Sequence, residues 1–100
     1  MQTFEAQIYA SQVILGVPEN FKGVEVHGVR SVGEKDANGK QEVQIDDTNP
    51  EFVSTYVRHV DGRLLAVADF GSHAEASSYG RQLAAQYKDL GWTFDCPLSL

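Results

Sequence analysis

The sequence predicts an α+β fold, a small antiparallel β-sheet of roughly four to six strands packed against one C-terminal α-helix. Three observations carry that expectation. Apolar and polar residues alternate in short runs before Asp61, the period of a half-buried strand. Asn38-Gly39 and Asp61-Gly62 each separate a pair of short runs, and both dipeptides accept the positive φ of a tight hairpin turn. From Ser72 the apolar spacing changes to three and four, the period of a helix with one buried stripe. One hundred residues, 42% hydrophobic and 22% charged, make a single domain over 1–100. A chain of that length buries roughly 65% of its unfolded surface, enough for one core without staples.

The elements follow in order. Phe4, Ala6, Ile8 and Ala10 alternate with more polar neighbours and predict a first strand. Val13, Ile14 and Leu15 either prolong it or form a short helical turn; Pro18 and Gly23 then open a loop. Phe21 in that loop is expected to plug one edge of the core. Val24 to Val32 reads as a strand with Val24 and Val26 on one face and Glu25 and His27 on the other, bent or bulged at Gly28 or Gly33. Lys35 to Lys40 turns at Asn38-Gly39 into a strand over Glu42 to Ile45, and the loop Asp46 to Glu51 follows.

The clearest hairpin is Phe52 to Phe70. A two-residue turn at Asp61-Gly62 sets Val60 against Arg63, and the register follows by counting outward. His59 then meets Leu64, Val57 meets Ala66, Thr55 meets Ala68 and Val53 meets Phe70. On the other face Ser54 meets Asp69, Tyr56 meets Val67 and Arg58 meets Leu65. The first set is the more apolar, so it is expected to face the helix and the second to face solvent or a partner. Ser72 with Glu75 forms a capping box at the helix start. Ala76, Tyr79, Leu83, Tyr87 and Leu90 form the stripe, with Gly80 and Ala84 beside it to allow close approach. Gly91 is placed to end the helix in a left-handed cap. Trp92 and Phe94 fold back as a short last strand or as a cover.

Asp and Glu outnumber Lys and Arg by 14 to 8, which gives a formal charge of -6 and a pI near 4.8. Binding to nucleic acid draws most of its affinity from neutralised phosphates, so direct contact with nucleic acid, or with an anionic membrane, is not expected. The same field favours a basic protein partner, although acidity also serves plain solubility. The single cysteine, Cys96, leaves no internal disulfide and no thiolate cluster. Met1 to Glu5 lack the basic start of a secretory signal, and Val13 to Val17 are too few to span a bilayer. The expected location is the cytoplasm.

No motif for catalysis or for a metal stands out. Asp69-Phe70-Gly71 matches the kinase metal-binding triplet without any companion motif, and core packing by Phe70 explains it. Neither Asp36 to Gly39 nor Asp46, Asp47 and Glu51 supplies the alternating ligands of a calcium loop; turn chemistry explains both. His27, His59 and His73 share no ligand spacing. His73, in the first helical turn, is expected to be exposed, and His59 to be structural at the end of the sheet. Ser54, Ser77, Ser78 and Cys96 lack a nucleophile elbow, and Cys96 has no basic neighbour in sequence. No glycine pattern for phosphate binding is present. No cofactor is expected.

The best interaction candidate is the outer face of the main hairpin. Tyr56, Arg58, Leu65 and Val67 make a mixed aromatic, arginine and aliphatic patch of the composition that carries binding energy. The acidic loop residues Asp46, Asp47 and Glu51 are expected to meet basic residues of the same partner. In size, acidity and sheet-plus-helix pattern the chain resembles small accessory proteins of phages, plasmids and other mobile elements, a likeness of type that rests on no single residue. That resemblance implies a non-enzymatic binding module, in its most concrete form an inhibitor of a nucleic-acid-handling host complex of the anti-CRISPR or anti-restriction kind. Two other readings compete with it. A small enzyme or ligand-binding protein would use Tyr56, Arg58 and Asp69 inside a deep pocket, and a self-associating structural protein would form a homodimer.

Overall fold

The computed structural model describes residues 6–34, 37 and 42–96. Its elements are β1 (Gln7–Ile8), α1 (Ala10–Ile14), β2 (Phe21–Val32), β3 (Glu42–Ile45), β4 (Phe52–His59), β5 (Leu64–Phe70), α2 (His73–Gln86) and β6 (Thr93–Asp95). The architecture is α+β, as the alternating and helical periods predict: a six-stranded sheet in the order β1-β5-β4-β2-β3, packed against α2. One pair departs from the antiparallel expectation. β6 runs parallel to β2, with Gly23, Val24 and Glu25 opposite Thr93, Phe94 and Asp95. β3 and β6 therefore share one side of β2 in tandem, while β4 takes the other side. The turn expected at Asn38-Gly39 and the start of the first strand at Phe4 lie outside the described residues. β2 and β3 pair antiparallel from Val29↔Ile45 to Val32↔Glu42, as that hairpin requires.

The segment after β1 resolves as the helical turn α1, which drops Ile14 into the core. Phe21 is the expected plug, meeting His59 and Trp92 edge-on at 5.2 and 6.3 Å. The Trp92 indole N–H donates to the Pro18 carbonyl (3.1 Å), tying the chain after α2 to the loop before β2.

α2 begins at the predicted cap, with the Glu75 carboxylate meeting the Ser72 hydroxyl in place of the Ser72 backbone amide of a full capping box. The Ser72 hydroxyl accepts the Glu75 amide (3.2 Å), and the Glu75 carboxylate reaches back to the same hydroxyl (3.0 Å). The α-helix stops at Gln86; a 3₁₀ turn over Lys88–Leu90 carries the chain to Gly91, whose φ of 84° supplies the left-handed cap. That early stop leaves Leu90 half exposed and outside the buried stripe. Ala76, Ser77, Gly80, Leu83 and Ala84 are the buried positions instead. A β-carbon on Gly80 would lie 2.8 Å from the Phe94 ring and 3.2 Å from Val24, which measures how closely α2 rides on β2 and β6. The core divides into two clusters, one around Val24, Val57, Leu83 and Trp92, the other around Val26, Val53, Phe70 and Ala76. Thr55, fully buried, donates to the Ala76 carbonyl (3.0 Å) and pins the middle of β4 to α2.

The main hairpin corrects the predicted register. Its loop has three residues rather than two: the His59 amide donates to the Arg63 carbonyl (2.8 Å), and Gly62, with φ at 100°, donates to the His59 carbonyl (2.9 Å). The extra loop residue shifts the pairing by one, so Arg58 meets Leu64, Val57 meets Leu65 and Tyr56 meets Ala66. A β-bulge then absorbs Val67, and beyond it Thr55↔Ala68, Ser54↔Asp69 and Val53↔Phe70 fall as expected. In a strand of period two, a shift of one residue exchanges the faces. Leu65 and Val67, expected on the outer patch, therefore turn toward α2; Val67 is fully buried and Leu65 packs against its cluster.

Candidate functional site

The face of the sheet turned away from α2 carries a row of polar side chains placed by register alone. On β2, Glu25 and His27 alternate with the core residues Val24 and Val26. Pairing with β4 sets Glu25 beside Tyr56 and His27 beside Ser54. Pairing with β5 adds Asp69 beside Ser54, and pairing with β1 brings Tyr9 to the far end of the row.

Two hydrogen-bonded groups flank Tyr56. In the first, Arg58 makes a bidentate pair with Glu25 (2.7 and 2.9 Å) and donates to the Gly62 carbonyl (2.7 Å). Glu25 also meets His27 Nε2 at 3.0 Å, while His27 Nδ1 meets Asp47 at 3.2 Å. Both contacts are hydrogen bonds at once only when the ring carries two protons. The His27 ring lies edge-on to Tyr56, 5.6 Å between centroids. In the second group Asp69 accepts from the Ser54 hydroxyl (2.6 Å) and from the Tyr9 hydroxyl (3.0 Å).

The electrostatics follow from these contacts. Hydrogen bonds from Arg58 hold the Glu25 carboxyl below its ordinary value, against the opposing effect of burial. The same pair raises Arg58. Burial, and after it the negative charge of Asp69, pushes both Tyr9 and Tyr56 above the usual phenol range. The tyrosines are thus held as neutral hydroxyls around a charged carboxylate.

The residues expected from sequence to form the site divide three ways. Tyr56 and Arg58 lie on this face, but Arg58 is committed to Glu25 and Gly62. Leu65 and Val67 do not lie on it, for the register reason given above. Of the acidic loop, Asp47 joins the face through His27 and also accepts the Gly28 amide (2.7 Å). Asp46 accepts the Thr48 and Asn49 amides (3.1 and 3.0 Å), and Glu51 accepts the Ser31 amide (3.2 Å), so both hold the loop in shape. Glu25, His27, Ser54 and Tyr9 complete the face without having been singled out. The alternation of β2 shows Glu25 and His27 turned from the core, but nothing local to the sequence says that β2 lies beside β4.

Three of the surface grooves among the described residues are well formed, and none of these three gathers Tyr56, Arg58 and Asp69. One of about 400 Å³ takes in Arg58 and Glu25 with Lys22, Thr93 and Asp95 at the β2–β6 edge. The others, about 370 and 470 Å³, run along α2 and contain none of the three.

On the other side of the sheet the structure supplies what the sequence lacks, a basic neighbour for Cys96. His73, in the first turn of α2, is half-buried rather than exposed, and its Nε2 lies 2.9 Å from Cys96 Sγ. Among the described residues no group of three or more His, Cys, Asp or Glu side chains is placed to hold a metal ion. Nor is any described helix long and apolar enough to cross a membrane. Comparison of the chain with protein-family models, curated proteins and solved structures found no match.

Proposed function

We propose that this chain is a non-enzymatic protein-binding module that docks a basic protein surface on the face of the sheet opposite α2. The observation that supports it is the arrangement around Tyr56: three carboxylates, Glu25, Asp47 and Asp69, fixed by hydrogen bonds on either side of one half-buried tyrosine. Side chains already ordered lose little entropy on association, and an acidic surface on a chain of net charge -6 speeds encounter with a basic partner. Asp46 and Glu51 belong to the loop that carries Asp47 and hold it in shape. The partner class that best suits such a surface is a host protein whose basic face handles nucleic acid, which makes the module an inhibitor of the anti-CRISPR or anti-restriction kind acting in the cytoplasm.

The test is comparative capture. Immobilised wild-type chain and a Tyr56→Ala, Asp69→Asn variant are exposed to host lysate, and the affinity of the retained protein is measured at several salt concentrations. The reading requires a partner that the variant loses at least about tenfold and whose affinity falls with salt. A partner bound equally by both chains, with no salt dependence, rules out this face.

Self-association is favoured by one separate observation. β3 is an outer strand with all four residues exposed, and Val43 and Ile45 expose 51% and 41% of their surface. Outer strands of this kind invite pairing with a second copy. Light scattering on the wild type and on Val43→Lys distinguishes the outcomes: a dimer that the variant abolishes supports edge pairing, and a wild-type monomer at high concentration removes it.

A further inference from the structure

We propose that Cys96, with His73 as its base, is a thiol-modification site that forms a mixed disulfide with small-molecule disulfides. The site stands on the α2 side of the sheet and does not depend on the binding reading above.

Three features converge there. The Cys96 sulfur lies 2.9 Å from His73 Nε2, within reach for transfer of the thiol proton to the imidazole. Ser77, one turn further along α2, turns its hydroxyl into the same spot, 3.4 Å from Nε2 and 3.8 Å from the sulfur. That serine is only 4% exposed, so its hydroxyl has been brought into the interior to face the pair. Finally, His73 and Ser77 stand one turn apart on α2, so the helix itself holds the base and the serine on the side that meets the sulfur. A nucleophile, a base within hydrogen-bond reach and a third polar group beside them are the parts that activate a thiol.

Access is partial, as such a site needs. Cys96 is half-buried, packed by its inner side against the cluster of Val26, Phe70 and Ala76. It follows directly on the last residue of β6, where the chain leaves the sheet.

The chemistry balances without any further reactant. His73 Nε2 takes the thiol proton, and the Cys96 thiolate attacks one sulfur of the incoming disulfide. The new S–S bond forms as the old one breaks, and the second sulfur leaves as a thiolate that recovers the proton from the imidazolium. Cys96 is oxidised and the leaving half of the small disulfide is reduced to a thiol.

The test uses the full chain with hydroxyethyl disulfide, a neutral probe that the acidic surface does not repel. At about pH 6 an ordinary thiol is almost entirely protonated and slow. The rate of mixed-disulfide formation is followed by intact mass for native wild type, for the same chain unfolded in urea, and for folded His73→Gln. The expected result is a native rate about tenfold above the unfolded rate, falling to the unfolded level in His73→Gln. A native rate less than about threefold above the unfolded one overturns the proposal, and so does a folded His73→Gln that keeps the fast rate. Should His73→Gln fail to fold, the ratio of native to unfolded wild type decides alone.

Discussion

At Gly28 the lack of a side chain is what lets the acidic loop reach the sheet. A β-carbon there would stand 2.6 Å from Pro50 Cβ and 2.7 Å from the Asp46 carbonyl oxygen, and the second of these is backbone that cannot swing aside. Gly28→Ala must push the loop outward, breaking the bond from the Gly28 amide to Asp47 and with it the contact of Asp47 to His27. The expected cost is about 1–3 kcal/mol, read as a lower urea midpoint; an unchanged midpoint would show that the loop is not held there. Glu25 is the second residue on which the face turns. Its carboxyl is held below the ordinary 4.5 by Arg58, so the folded state binds its proton less readily than the unfolded chain. The contribution is complete above about pH 4.5 and is lost as pH falls through the lowered folded value. Glu25→Gln should therefore cost about 1 kcal/mol at neutral pH, a small figure because the pair is partly solvated. The difference from wild type should close as the pH drops below that window. A gap that persists in acid would assign the loss to packing rather than charge.

The hairpin of β4 and β5 shows how one element can be legible in pattern and still be misread in register. Alternation along β4 is clean, and its outward and inward residues are those the sequence predicts. β5 gives no such signal, because Leu64-Leu65-Ala66-Val67-Ala68 is apolar throughout and a run without alternation fits either face. Asp61-Gly62 fixes where the chain turns, since Gly62 supplies the positive φ. It does not fix whether the loop holds two residues or three. The bulge at Val67 then cancels the shift, which is why the outer half of the predicted ladder is right and the half near the turn is wrong. Val67→Ala separates the two readings. On an outward face it would change stability by less than about 0.5 kcal/mol. At a fully buried position between Val57 and the core of α2 it should cost about 2 kcal/mol, measured by urea unfolding. For α2 the local signals were sufficient: Ser72, Glu75 and the close approach at Gly80 all do what their residue types predict. Only the last turn differs, where the 3₁₀ stretch takes Leu90 off the stripe.

Across the whole molecule, the contacts that could not be read in advance are those between distant segments. β2 beside β4, β6 returning parallel to β2, and His73 against Cys96 each join stretches whose own patterns are silent about partners. The polar face is a product of that assembly, because Tyr9 follows β1, Tyr56 lies on β4 and Asp69 on β5, and they meet only when the sheet is complete. Its integrity has a global readout at high pH. Burial raises Tyr9, Tyr56 and Tyr79 above the ordinary 10.0, and Asp69 adds its charge against the first two. In the unfolded chain these phenols ionise near pH 10, while in the folded chain they stay protonated. The stability they contribute is complete below about pH 10 and is lost as pH rises through the folded values. Tyrosinate absorbance of the native chain should lag that of the chain in urea, and loss of the far-ultraviolet dichroism signal should begin only above pH 10. Tyr9→Phe with Tyr56→Phe removes two of the three ionisations, so stability in the variant should decline less steeply over that range. If native and unfolded chains titrate together, the three rings are not shielded in the fold and Asp69 does not act on Tyr9 and Tyr56, and the ordered face on which the binding proposal stands does not exist in solution.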